Sequence, residues 1–304
     1  MLAGTSVTCF AASYAVALAL EFTRPLFRSG VRGVAMIGFA AAGFVAHTIY
    51  LYYQAATTVG SPLSSKRDWY LVAAWVLAGI YLYLTSYRPR TAFGVFLLPL
   101  VLGLIAVGSL LADAQPFPRG PASYVWGMIH GISLLLATVA VLIGFAAGTT
   151  YLWQERRLKH KLPPPRGLRL PSLEWLQQTN SRAILFSLLM LGLGILAGGV
   201  LNRIRLDPAV GHVPWSDPFV VSTMGMFAWL LVAAAILVLY QPAREGRKVA
   251  YLTVVSFAFL VIALAVGLSG RTQHGGIRPE EPGIQSSQSS APPGILAAAP
   301  GEHP

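Results

Sequence analysis

The chain has 304 residues, 55% of them hydrophobic and only 11% charged, where a soluble domain carries about 25% charged residues. With a mean hydropathy of +0.62, this composition excludes a soluble globular domain and points to a bilayer, which hides apolar surface that a water-facing fold cannot. The net charge of +11 does not indicate nucleic acid, because the cations lie between apolar runs and form no continuous patch.

Eight apolar stretches predict an all-α, polytopic membrane helix bundle of about eight transmembrane helices. The first, Thr5–Leu20, is short. No positive charge precedes it, which argues against a cleaved signal peptide. It holds the single cysteine, Cys9, so an internal disulfide framework is excluded. Val34–Tyr53, Tyr70–Ser86 and Ala92–Ala112 follow. The fifth stretch, Ser123–Trp153, is long, so it either tilts or continues past the membrane as a helix. Ala183–Leu201, Phe219–Tyr240 and Val249–Ser269 complete the set. Residues 1–270 thus read as one transmembrane domain. The tail, residues 271–304, is rich in Ser, Gln, Pro, Gly and Ala, a composition expected to be disordered.

Orientation follows from Lys and Arg. The loops after the first, third, fifth and seventh stretches carry 15 of the 22 cations, among them Arg24, Arg88, Arg156 and Arg244. The positive-inside rule places that side in the cytoplasm. Both chain ends are then outside, in a multi-pass protein of the cell inner (cytoplasmic) membrane. The basic loop from Gln154 to Ser181 contains PPPRGLRLP. Its prolines favour an extended path, and its charges suit the anionic head groups of membrane lipid.

Six histidines are present. His160, in the basic loop, and His303, in the tail, read as solvated. The other four share the outer side. His47 lies about 10 Å below the outer end of the second span, and His130 about 10 Å below that of the fifth. His212 precedes the seventh span and His274 follows the eighth. All four are placed to approach one site near the outer leaflet. A histidine within a span usually faces the bundle interior, where it either ligates or simply bonds a backbone carbonyl. Carboxylates are nearly absent from the spans, which disfavours a proton relay or a di-iron site. Haem remains, because its iron takes axial imidazoles from distant parts of a chain. Tyr50, Tyr124, Trp126, Trp215 and Phe219 are aromatics suited to a porphyrin, and equally to an interfacial belt.

Three segments carry a family resemblance. Trp126–Lys161, WGMIHGISLLLATVAVLIGFAAGTTYLWQERRLKHK, places a histidine early in an outward-starting helix and ends in YLWQERRLK. PSLEWLQQTNSRAILFSLLMLGLGILAGG and GFAAAGFVAHTIYLYYQ add a short amphipathic entry and a second span with a histidine. Together they resemble the cytochrome c assembly family of the CcsA/HemX type, as a divergent member. The resemblance implies haem handling at the outer face during cytochrome c maturation, with a partner assembly subunit and apocytochrome c. It implies His130 and His274 as the iron ligands, with His47 as the histidine of the N-terminal half. The family's tryptophan-rich outer loop corresponds to His212-Val-Pro-Trp-Ser-Asp-Pro. Trp215, Asp217 and Pro218 match it, whereas its second tryptophan is Ser216 here. A histidine expected at the end of the seventh span is replaced by Tyr240 and Gln241.

The role implied is haem presentation. No nucleophile stands beside a base, so any lyase activity would need the partner. Asp217 and Pro218 also suit an ordinary helix start, and Trp215 an interfacial anchor. A membrane transporter is the competing class, with Gly103, Gly108, Gly192, Gly194, Gly198 and Gly199 as helix interruptions. The same glycines serve close helix packing, which fits a scaffold subunit without haem.

Overall fold

The computed structural model describes residues 6–23, 30–57, 65–87, 91–114, 121–161, 170–204, 212–239 and 246–269. The expected disordered tail, His274 and His303 lie outside them. The described residues form eight helices: α1 (Val7–Phe22), α2 (Gly30–Thr57), α3 (Lys66–Tyr87), α4 (Gly94–Leu110), α5 (Pro121–Lys159), α6 (Leu173–Ile204), α7 (Pro218–Leu239) and α8 (Arg247–Leu268). The protein is all-α, and one helix coincides with each apolar stretch.

Six of the helices are long and apolar enough to cross a membrane: α2, α3, α5, α6, α7 and α8. The expected eight crossings therefore rest on two shorter elements. α1 has 16 residues and α4 has 17, about 24 and 26 Å of helix, against a hydrocarbon core of about 30 Å. α1 buries one face: Phe10, Tyr14, Ala17 and Glu21, at spacings of four, three and four. α4 carries Pro99 inside it, which removes one backbone bond.

Helix starts follow local chemistry. Ser65 caps α3: its hydroxyl accepts from the Asp68 N–H at 3.2 Å, and the Asp68 carboxylate accepts from the Ser65 N–H at 3.1 Å. This is a reciprocal capping box. Ser172 does half of this for α6, accepting from the Trp175 N–H at 3.3 Å. Gly246, ahead of α8, has φ +62° and lies against the Tyr151 hydroxyl. A side chain there would meet both a left-handed backbone and that ring. The Gly246 N–H donates to the Gln177 amide oxygen at 3.2 Å, tying α8 to α6.

Two boundaries move outward from the apolar stretches. α5 has 39 residues, about 58 Å, so the fifth span does continue past the bilayer as helix. α6 begins at Leu173, making its amphipathic entry continuous with the span. Where these helices leave the membrane, Ala147, Tyr151, Leu176 and Ala250 form a small cluster of their own.

α1 packs on α2 and α4, and α3 on α2 and α4. α5 packs on α6 and α8, while α7 fills the gap between α6 and α8. Lighter contacts of α5 with α3 and α4 join the two groups, and one apolar core runs through both. Leu189, Leu196 and Leu239 are exposed, as residues facing acyl chains should be. The α5–α8 seam is tight. A Cβ on Gly148 would meet the Ala250 carbonyl oxygen at 3.0 Å and collide with the Thr253 hydroxyl. Gly103 has open space around it. Gly148→Val is therefore expected to cost about 1–3 kcal/mol by overpacking. Gly103→Ala should be close to neutral. Thermal unfolding of both variants in one detergent checks this.

Candidate functional site

α5 and α6 build the seat for His130. The ring lies against α6 where Gly198 has no side chain; a Cβ there would meet its Nδ1 and Cε1 at 2.8 Å. Nδ1 bonds the Gly194 carbonyl oxygen at 2.7 Å. A carbonyl only accepts, so Nδ1 carries the proton and, in the neutral ring, Nε2 carries the lone pair. Gly194 lies inside α6, where its carbonyl already serves the helix. The second bond therefore fixes the histidine and is not needed by the helix. Across α5, Trp69 of α3 packs on the bare backbone of Gly131.

A second arrangement closes the end of α6. Asn202 donates from Nδ2 to the Val213 carbonyl at 3.1 Å and accepts the Val213 N–H on Oδ1 at 2.8 Å. The Asn202 carbonyl oxygen takes His212 Nδ1 at 2.6 Å. That carbonyl belongs to the last turn of α6, whose carbonyls lack helical partners. His212 thus caps the helix, and its Nε2 keeps the lone pair by the same argument.

The chain then turns into α7. The Asp217 N–H donates to the Pro214 carbonyl at 3.0 Å, and the Asp217 carboxylate accepts the Phe219 N–H at 2.9 Å. Asp217 is buried at 3% exposure. It is the N-cap of α7, with Pro218 as the first helical residue, and this gives both a structural role. Trp215, in the same turn, is 63% exposed.

His47 sits in a different environment. Its ring is fully buried and stacks on Phe10 of α1, with centroids 4.0 Å apart and planes 4° apart. Tyr14 meets it edge-on at 6.2 Å. Among the described residues neither ring nitrogen has a hydrogen-bond partner. Tyr50, one turn further on α2, tilts against Phe10 and accepts from the Arg67 guanidinium at 2.8 Å.

The expected approach of His47, His130, His212 and His274 to one site includes His274, which lies outside the described residues. His212, Trp215 and Asp217 share one turn. Gly194 and Asn202 are eight residues apart on α6, about 12 Å along its axis, so one helix holds both His130 and His212. His47 belongs to the α1–α4 group and is covered by α1. Three features escaped the sequence reading: the Asn202 clamp, the aromatic cover from Phe10 and Tyr14, and the buried Glu21. A polar residue at the exit of a long apolar helix was the available signal for Asn202. Glu21, fully buried in the last turn of α1 and 3.5 Å from the Tyr81 hydroxyl, is a membrane-edge carboxylate that the apolar count passed over.

The model for the cytochrome c assembly proteins matches residues 35–274. The chain belongs to the cytochrome c assembly protein family. The match runs from residue 35, inside α2, past the end of α8, takes in His47, His130, His212 and His274, and leaves α1 outside. No curated protein and no solved structure matches the chain. Membership in the cytochrome c assembly family implies haem handling, and the donors can be tested for that fit. Among the described residues no three His, Cys, Asp or Glu side chains gather into a metal cage. Imidazoles are what a haem iron takes, since its macrocycle fills the other positions, and His130 and His212 each have Nδ1 held by a carbonyl of α6. The two orphan nitrogens of His47 and the exposed Trp215 ring add to that fit.

Proposed function

We propose that this membrane protein holds haem at the non-cytoplasmic face for delivery to apocytochrome c. His130 and His274 serve as axial ligands, and His212, Trp215 and Asp217 form the rim of the site. Asp217 fixes the turn through its cap, and Trp215 offers its exposed ring to the porphyrin. His47 supplies a further imidazole from the N-terminal half. The observation that supports this reading is the His130–Gly194 bond, which fixes the ring of the ligand that the family implies against α6. When bound, haem supplies the iron and vinyl chemistry. The chain's residues bind, orient and release it, and the apocytochrome brings the thiols. A partner assembly subunit completes any synthetase activity.

The same reading includes eight crossings, with both ends outside the cytoplasm of a cell inner membrane. The basic loops support this, because two crossings between each successive pair keep them all on one side, as the positive-inside rule requires. Cys9 is exposed on α1 and is the only cysteine, so single cysteines placed in each loop of a Cys9→Ser background report the sidedness.

The function is tested by the visible spectrum of the detergent-purified protein expressed with haem available. Expected is a Soret band with low-spin α and β bands, lost in His274→Ala. A folded wild type without haem would sink the proposal and leave the scaffold or transporter role.

A further inference from the structure

The rim turn has a holder that is not itself a candidate ligand. Asn202 makes three bonds to two consecutive residues: both amide groups to Val213 and its carbonyl to His212. Helix capping requires only the carbonyl bond. The amide pair does something else, fixing the Val213 backbone in both its donor and its acceptor. Val213 directly follows His212 and lies two residues before Trp215. A main chain held at that point leaves His212 little freedom in backbone direction, and the carbonyl bond fixes its ring. His212 itself is exposed, so no surrounding packing would orient it otherwise.

We propose that Asn202 is a positioning residue for His212, holding it with Nε2 presented to haem at the rim of the site. This rests on the haem reading above. Precise placement of a donor depends on such supporting bonds, and their loss commonly weakens metal affinity about 10–100-fold. Asn202→Leu removes both amide bonds while leaving the main-chain carbonyl. Asn202→Asp keeps an oxygen for the Val213 N–H and loses the donor.

The test has two arms on the full-length protein. Hydrogen exchange at the Val213 amide is expected to speed up at least tenfold in Asn202→Leu, and less in Asn202→Asp. With haem loaded, Asn202→Leu is expected to shift the midpoint potential and raise the haem off-rate as far as His212→Ala does. Asn202→Asp should fall between. The double variant should be no worse than His212→Ala alone, because Asn202 acts through His212. Faster exchange with unchanged potential and off-rate, or additive losses in the double variant, would overturn the proposal. So would exchange at Val213 equal to wild type. A wild type without haem removes the haem reading, and exchange at Val213 then decides alone whether Asn202 clamps the turn.

Discussion

His130→Ala is expected to abolish the low-spin haem spectrum while leaving the helical content intact. The alanine removes a half-buried ring that touches two glycines of α6, so the cost to the fold is small. It removes one axial donor outright, and a single remaining imidazole leaves iron in a weaker field. Added imidazole should restore the bands, since the space left by the ring is the size of the ligand supplied. Gly198→Leu gives an independent route to the same outcome. It keeps His130 but fills the place where the ring lies, since even a Cβ would stand 2.8 Å from Nδ1. Loss of haem in Gly198→Leu with the Gly194 carbonyl still present would show that ring placement matters, beyond the presence of the residue. Unchanged spectra in His130→Ala would remove His130 from the site.

The second large effect concerns His47, and its sign is opposite for stability and binding. Burying a polar group without a partner costs about 1–3 kcal/mol. His47 buries two such nitrogens. His47→Leu is expected to raise the thermal midpoint by several degrees, because a residue of similar bulk replaces an unsatisfied ring beneath Phe10. It is also expected to lower haem content. Asn180 is the control. It is fully buried with neither amide atom bonded, and Leu has the same branched shape. Asn180→Leu should stabilise to a similar degree and leave the haem spectrum alone. A stability gain with unchanged haem in both variants would make His47 a packing residue only. Sites that break local rules at a cost in stability are where function is expected.

Much of this architecture was readable from hydropathy, and the reasons for the exceptions are physical. Each of the eight helices announced itself as an apolar run, because lipid enforces both composition and backbone pairing. The ends of α5 and α6 were not readable in that way. Gln154 to Lys159 and Leu173 to Arg182 are helical outside the apolar windows, where packing of Tyr151 on Leu176 sustains them. The positions of His47 and His130 along their helices were legible, since rise per residue is fixed. Their neighbours were not. Which helix packs on which is decided by small residues such as Gly43, whose Cβ would meet Ser13 at 3.0 Å, and Gly198. Glycines in a span do not name their partner. Asn202 stood out only as a polar residue at the exit of an apolar helix, because its bonds reach across a connection of ten residues and no local pattern records its partner. The cap at Asp217, by contrast, is local and was anticipated.

His130 of α5 and His212 ahead of α7 are both oriented by main-chain oxygens of α6, those of Gly194 and Asn202. Every amino acid supplies a carbonyl in the same place. Single-residue genetic screens would therefore pass over these acceptors, since no replacement of a side chain deletes them. The acceptor atoms themselves are insured by the helix and are lost only if α6 unwinds. A lineage of such proteins can then vary α6 away from Gly198 and Asn202 and keep those acceptors in place.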